Sequence, residues 1–112
     1  MAVHIQIRGT DLTEAVRNYV ERRLCFSLGR FAPRLGRVSV RVADVNGPRG
    51  GVDKACRISV KLVPFGQTIV QESVDANLYV AIDHATDRIG QTCGRELRRL
   101  RDRGTGIRSK KL

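Results

Sequence analysis

Three observations predict an α+β domain of order β-α-β-β-β-α, a four-stranded sheet with two helices packed on one face. Four short stretches alternate apolar and polar residues with the period of a strand. Two longer stretches repeat apolar residues every three or four positions, and segments rich in glycine, proline or asparagine separate most of the six. Strands one and two, joined through a helix, form a parallel pair by a right-handed crossover, and the later strands follow as hairpins. Both helices must then cover the single apolar face of the sheet.

The first strand is "VHIQIR", with Val3, Ile5 and Ile7 on one side and His4, Gln6 and Arg8 on the other. "GTDLTE" breaks that period and offers two helix caps, Asp11 with Glu14 three residues on, or Thr13. Helix one is predicted over residues 13 to 30, its apolar face set by Leu12, Val16, Val20, Leu24 and Phe31 and its end by Gly29, Pro33 and Gly36.

"RVSVRVADV" turns Val38, Val40 and Val42 inward, and "ACRISVKLV" does the same with Cys56, Ile58, Val60 and Leu62. The loop "NGPRGG" between them reads as a hairpin tip. In the fourth strand, "QTIVQESV", Ile69 competes with Thr68, Val70 and Val74 for the inward face, and the reading adopted is the Val70 face. From Asp75 the period turns helical, with Leu78, Ile82, Ala85, Ile89, Cys93, Leu97 and Leu100 on one stripe of a helix expected over residues 76 to 102. The open sheet face should carry His4, Gln6, Arg8, Arg41, Arg57 and Lys61 in water. The expected division is one domain over residues 1–103 and a basic, disordered tail over 104–112.

Composition narrows the function. A chain of 112 residues, 41% hydrophobic, supports one core. No stretch reaches the roughly 20 apolar residues of a membrane span, and the start lacks a secretory signal, so a cytoplasmic protein with no membrane partner is expected. Cys25, Cys56 and Cys93 are widely spaced without a C-x-x-C pair, which suits reduced thiols filling the core rather than a disulfide frame or metal site. His4 and His84 are the only histidines, tied by no local spacing to a nucleophile or metal ligand, so no catalytic residue, metal, cofactor or small-molecule substrate is expected.

The net charge of +10 points instead to a polyanionic partner, nucleic acid above all. "NGPRGG" cannot be a phosphate loop of the Walker kind, since it lies between two strands and lacks the lysine and hydroxyl of that motif. It is either a flexible tip or a loop that sets Arg49 and Lys54 against a phosphate backbone. Helix two has a basic flank of His84, Arg88, Arg95 and Arg99, opposite a flank of Asp83, Asp87, Gly90 and Gly94. Helix one has a comparable edge in Tyr19, Arg23, Phe26 and Arg30, with Arg22 beside it. Aromatics at helical spacing usually bury, so Tyr19 and Phe26 are read as core residues, the alternative being rings that stack on bases while guanidiniums hold phosphates. From Arg95 to Lys111 eight basic residues face only Glu96 and Asp102, more than the helix dipole accounts for. Gly90 and Gly94 each cost a helix roughly 1 kcal/mol relative to alanine, which close approach of helix one or of RNA would offset.

At "DANLYVAIDHATDRI" the sequence resembles the ribosome hibernation promoting factor family, also called the ribosome-associated inhibitor or sigma-54 modulation family. Asn77, Leu78, Tyr79, Ala81, Ile82 and Asp83 match the short signature that opens that family's second helix, and Thr13, Ala15, Val16, Arg17, Tyr19 and Val20 match a segment of its first. The resemblance spans about residues 3 to 101. It implies a non-enzymatic inhibitor that occupies the mRNA and tRNA channel of the small ribosomal subunit in idle or stressed bacterial cells, touching ribosomal RNA through basic helix residues. Carried over by position these are Arg22, Arg23, Arg88, Arg95 and Arg99, and the face analysis adds Arg30 and Arg98.

The chain departs from the family in a more glycine-rich hairpin and in Ser27, where leucine is common. It also stops before the additional C-terminal domain of long members, so it looks like a short form; a free monomer is expected, and the basic tail leaves open whether ribosomes are held paired or single. Two other readings stand beside this one. A double-stranded RNA-binding module shares the α-β-β-β-α layout, and a thiol enzyme or redox sensor would use Cys25 or Cys93.

Overall fold

The computed structural model describes residues 1–9, 13–44 and 53–111, with side chains described up to residue 102. The Asp11 cap, Leu12 and the "NGPRGG" tip with Arg49 lie outside the described residues. Strands β1 (Ala2–Arg8), β2 (Leu35–Asp44), β3 (Lys54–Leu62) and β4 (Thr68–Asp75) and helices α1 (Thr13–Leu28) and α2 (Leu78–Lys111) follow in the predicted order. They form one sheet, β1-β2-β3-β4, in which β1 runs parallel to β2 and the other pairs are antiparallel.

Helix α1 ends two residues before the expected point, and the chain passes into a 3₁₀ segment, Gly29–Arg34. Pro33 has no N–H to continue the α-helical ladder, and Gly29 weakens the last turn. Helix α2 begins behind Asn77, whose side-chain oxygen accepts from the N–H of Tyr79 at 2.9 Å, while Asp75 accepts from the N–H of Asn77 at 2.8 Å. Its backbone stays helical to Lys111, nine residues past the expected end at 102. Arginine and lysine have high intrinsic helix propensity, which opposes the cost of Gly104 and Gly106.

Strict alternation delivers the core as read for β1 to β3. Val38, Val40, Val42, Cys56, Ile58, Val60 and Leu62 are buried, and they meet Val16, Val20, Leu24 and Leu28 of α1 and Ala81, Ile82, Ala85, Ile89, Cys93 and Leu97 of α2. Strand β4 corrects the expectation. Val60 pairs with Ile69 and Ser59 with Val70, so Ile69, Gln71 and Ser73 face the helices while Val70 and Val74 face outward. Residues directly opposite in an antiparallel pair share a face, and the register inherited from β3 outweighs the hydrophobicity of two valines on an edge strand. The inward polar group is accommodated: Gln71 Nε2 donates to Thr92 Oγ1 of α2 at 3.2 Å.

Two cysteines fill the core as expected and the third does not. Cys56 and Cys93 are fully buried, whereas Cys25 is exposed because it falls on the outer side of α1.

Candidate nucleic-acid interface

The two helices form one layer, and its seam is built from the matched sequence segments. The Tyr19 hydroxyl donates to Asp83, and the rings of Tyr19 and Tyr79 meet edge to face with centroids 4.9 Å apart. Arg23 reaches across from α1, its Nη2 2.7 Å from Asp87 and its Nε 3.3 Å from Asp83. The bond to Asp83, with burial, holds the Tyr19 hydroxyl above its ordinary pKa. Farther along, the helices close tightly. A Cβ on Gly90 would lie 2.9 Å from the backbone oxygen of Ser27, and one on Gly94 3.1 Å from the Phe31 ring. Gly90 therefore answers to helix one and Gly94 to the 3₁₀ segment that follows it, and the flank of Asp83, Asp87, Gly90 and Gly94 is their docking edge.

This seam sorts the candidate arginines. Arg23 belongs to the brace between helices and is half-buried there. Arg22, Arg30, Arg88, Arg95, Arg98 and Arg99 are exposed. At about 100° per residue, with Gly90 and Gly94 fixed against α1 and Thr92 against β4, Arg98 projects directly outward from α2, Arg88 and Arg95 outward and away from the seam, and Arg99 from the flank of α2 on its β4 side. Arg22 occupies the outward side of α1. Arg30 follows α1 in the 3₁₀ segment, its guanidinium 4.7 Å from the centroid of the Phe31 ring. Arg99 pairs with Glu96 at 3.3 Å in an exposed i,i+3 contact, and among the described residues the other five enter no ion pair. Five cations thus line the outward half of the helix layer with Arg99 on its β4-side flank, on either side of a seam where Arg23 offsets two carboxylates.

Phe26 corrects the preference for a core ring. It is 81% exposed, with the Arg23 guanidinium 5.8 Å from its centroid, and it borders a shallow groove with Ser27, Arg30, Asp87, Gly90 and Gln91. Its helical spacing from Tyr19 suggested burial, but the rotation of α1 places it past the apolar stripe. An open ring between two arginines suits stacking on a planar, electron-rich group.

Lys54, the other candidate from the hairpin, is engaged by Asp44 at 3.2 Å and Asp53 at 3.0 Å, and these acids hold its ammonium above the ordinary lysine range. Burial pushes the thiols of Cys56 and Cys93 up to about 12 and about 11, so neither is a thiolate near neutral pH. Among the described residues no three His, Cys, Asp or Glu side chains gather as a metal site, and no helix is long and apolar enough to cross a membrane.

The family profile described as sigma 54 modulation protein / S30EA ribosomal protein matches residues 3–104. The N-terminal domain of Protein Y from Thermus thermophilus superposes with a TM-score of 0.64 at 27% identity, covering 85% of this chain and 98% of that one. A ribosomal subunit interface protein from Coxiella burnetii superposes at 0.66 with 17% identity, covering 86% and 97%, and shows the fold alone. No curated protein matches the sequence.

Proposed function

Because this chain belongs to the sigma-54 modulation protein / S30EA ribosomal protein family, we propose that it is a ribosome-associated inhibitor of translation that binds the small subunit through ribosomal RNA. The observation that carries the reading is the arginine layer. Arg22, Arg30, Arg88, Arg95 and Arg98 stand on the outward half of two braced helices with Arg99 on the flank beside them, and among the described residues only Arg99 of these six has a carboxylate partner.

The proposed mechanism is occupancy. Guanidiniums on a rigid support hold phosphates without much ordering cost on binding, since the glycine contacts and the Tyr19, Arg23, Asp83 and Asp87 cluster already fix the helices. Phe26 stacks on an unpaired base, and the bound domain fills the channel that mRNA and tRNA would enter. This chemistry needs no bond making, cofactor or metal. The protein acts as a soluble monomer in bacterial cytoplasm under stress or in stationary phase, with residues 1–103 as the binding domain and 104–112 adding basic charge.

Competition tests the reading. The full chain should cosediment with purified small subunits and be displaced by mRNA together with tRNA. Binding that ignores both ligands would contradict channel occupancy. Equal affinity for naked RNA duplex would favour the double-stranded RNA module instead.

A further inference from the structure

The sheet face turned away from the helices is a second basic surface, and none of the roles above uses it. Strand register sets its side chains in rows. His4, Ser39, Ser59 and Val70 form one row, and Gln6, Arg41, Arg57 and Glu72 form the next. Arg41 and Arg57 are therefore direct cross-strand partners on the two central strands, and both are exposed. Directly opposed side chains start from Cβ atoms about 4.5 to 5.5 Å apart, and like charges so placed repel. Neither arginine enters an ion pair among the described residues, although Glu72 sits opposite Arg57 on β4.

These arginines line one depression of about 320 Å³ with two hydroxyls, Ser39 and Ser59, themselves a cross-strand pair. Two arginines and two serines lining one shallow, open hollow provide charge and several donors for a tetrahedral oxyanion. Around it the same face adds Arg8, Arg37 and Lys61, all exposed, so Glu72 is the lone carboxylate among six charged side chains. A surface this basic favours a chain of phosphates over a single free anion.

We infer that Arg41, Arg57, Ser39 and Ser59 form a phosphodiester site on the open sheet face, which grips a second RNA strand while the helix layer holds the first. The site rests on the ribosome-binding reading for its physiological ligand, and on the hollow itself for its chemistry. A domain wedged in a channel would then be held from both sides. Placing an anion between Arg41 and Arg57 also relieves their repulsion, so binding should stabilise the sheet.

Two measurements on the full chain decide it. In the first, inorganic phosphate is titrated and backbone amide shifts are followed by NMR. Saturable shifts confined to the strands around Ser39, Arg41, Arg57 and Ser59, abolished in an Arg41→Gln/Arg57→Gln variant, support the site; no shift there overturns it. In the second, cosedimentation with small subunits is measured against salt. Loss of one phosphate contact should lower the slope of log affinity against log salt by about one and weaken binding about tenfold in the double variant. Glu72→Gln, which removes the repelling carboxylate, should tighten binding. A double variant with wild-type affinity and slope, alongside helix-layer variants that bind poorly, overturns the sheet site and leaves the ribosome-binding reading intact. If the wild-type chain fails to bind subunits, that reading falls and the phosphate titration alone judges the site. Arg41→Gln/Arg57→Gln removes two opposed like charges and should melt at or slightly above the wild type, so a loss of binding there is not a loss of folding.

Discussion

Adjacent arginines on α1 should fail in different ways when truncated. Arg23→Ala removes the 2.7 Å bond to Asp87 and the 3.3 Å contact with Asp83, and leaves those carboxylates one helical turn apart without a cation. A hydrogen bond to a charged group contributes about 1.5 to 3 kcal/mol when well shielded, and an exposed ion pair about 0.2 to 1. The side chains here retain 26%, 36% and 54% exposure, which puts the brace nearer the lower range. Adding a few tenths for like charges at i,i+4 gives about 1 to 1.5 kcal/mol. For a domain of this size the melting temperature should fall by about 5 °C. Arg22→Ala, which breaks no contact of this kind, should change stability by less than about 0.5 kcal/mol. Circular dichroism melts in low salt and in 1 M salt compare the two, and high salt should shrink the difference. Equal melting of both variants would refute the division between a bracing and a binding arginine.

The remaining predictions follow the same geometry. Gly9 has φ +78 and a Cβ there would lie 1.9 Å from the Asp44 backbone oxygen, so Gly9→Ala should cost about 2 kcal/mol or more, read as a lowered urea midpoint. Phe26→Ala should leave the melting temperature within error and weaken subunit binding roughly tenfold, as expected for loss of one stacked base worth about 1 to 3 kcal/mol. Of the three thiols, only Cys25 should react with an aromatic disulfide reagent in the folded chain at pH 8. The raised thiols of Cys56 and Cys93 bind protons more tightly folded than unfolded, so their contribution to stability is complete below about pH 9 and is lost as pH rises toward 11 and 12. A stability curve flat from pH 8 to 11.5 would contradict that burial.

Much of this fold is legible because β1, β2 and β3 alternate without a competing phase. Strand β4 is not, since Ile69 and Val70 stand side by side and only pairing with Val60 decides between them. The second helix is equally readable from Leu78 to Leu100, whose apolar stripe leaves a single choice of buried side. The candidate site divides along similar lines. A helical wheel places Arg88, Arg95 and Arg99 on one basic flank, but it cannot reveal that Arg23 crosses 64 residues of sequence to Asp87. That depends on how one helix is rotated against another. One signal was present: acids and glycines sharing a flank mark the edge where another helix closes in, and an arginine on that helix should meet the acids. Phe26 was misplaced for the same reason: it stands two helical turns from the half-buried Tyr19, yet the rotation of α1 leaves its ring in solvent.

The central claim is that outward arginines on the helix layer neutralise RNA phosphates. Six such residues imply a slope of log affinity against log salt of roughly −4 to −5 for the wild-type chain on purified small subunits. Replacing Arg88, Arg95 and Arg99 by alanine should bring it near half that value, with the folded domain unchanged by circular dichroism. A triple variant that keeps the wild-type slope and affinity would contradict the account.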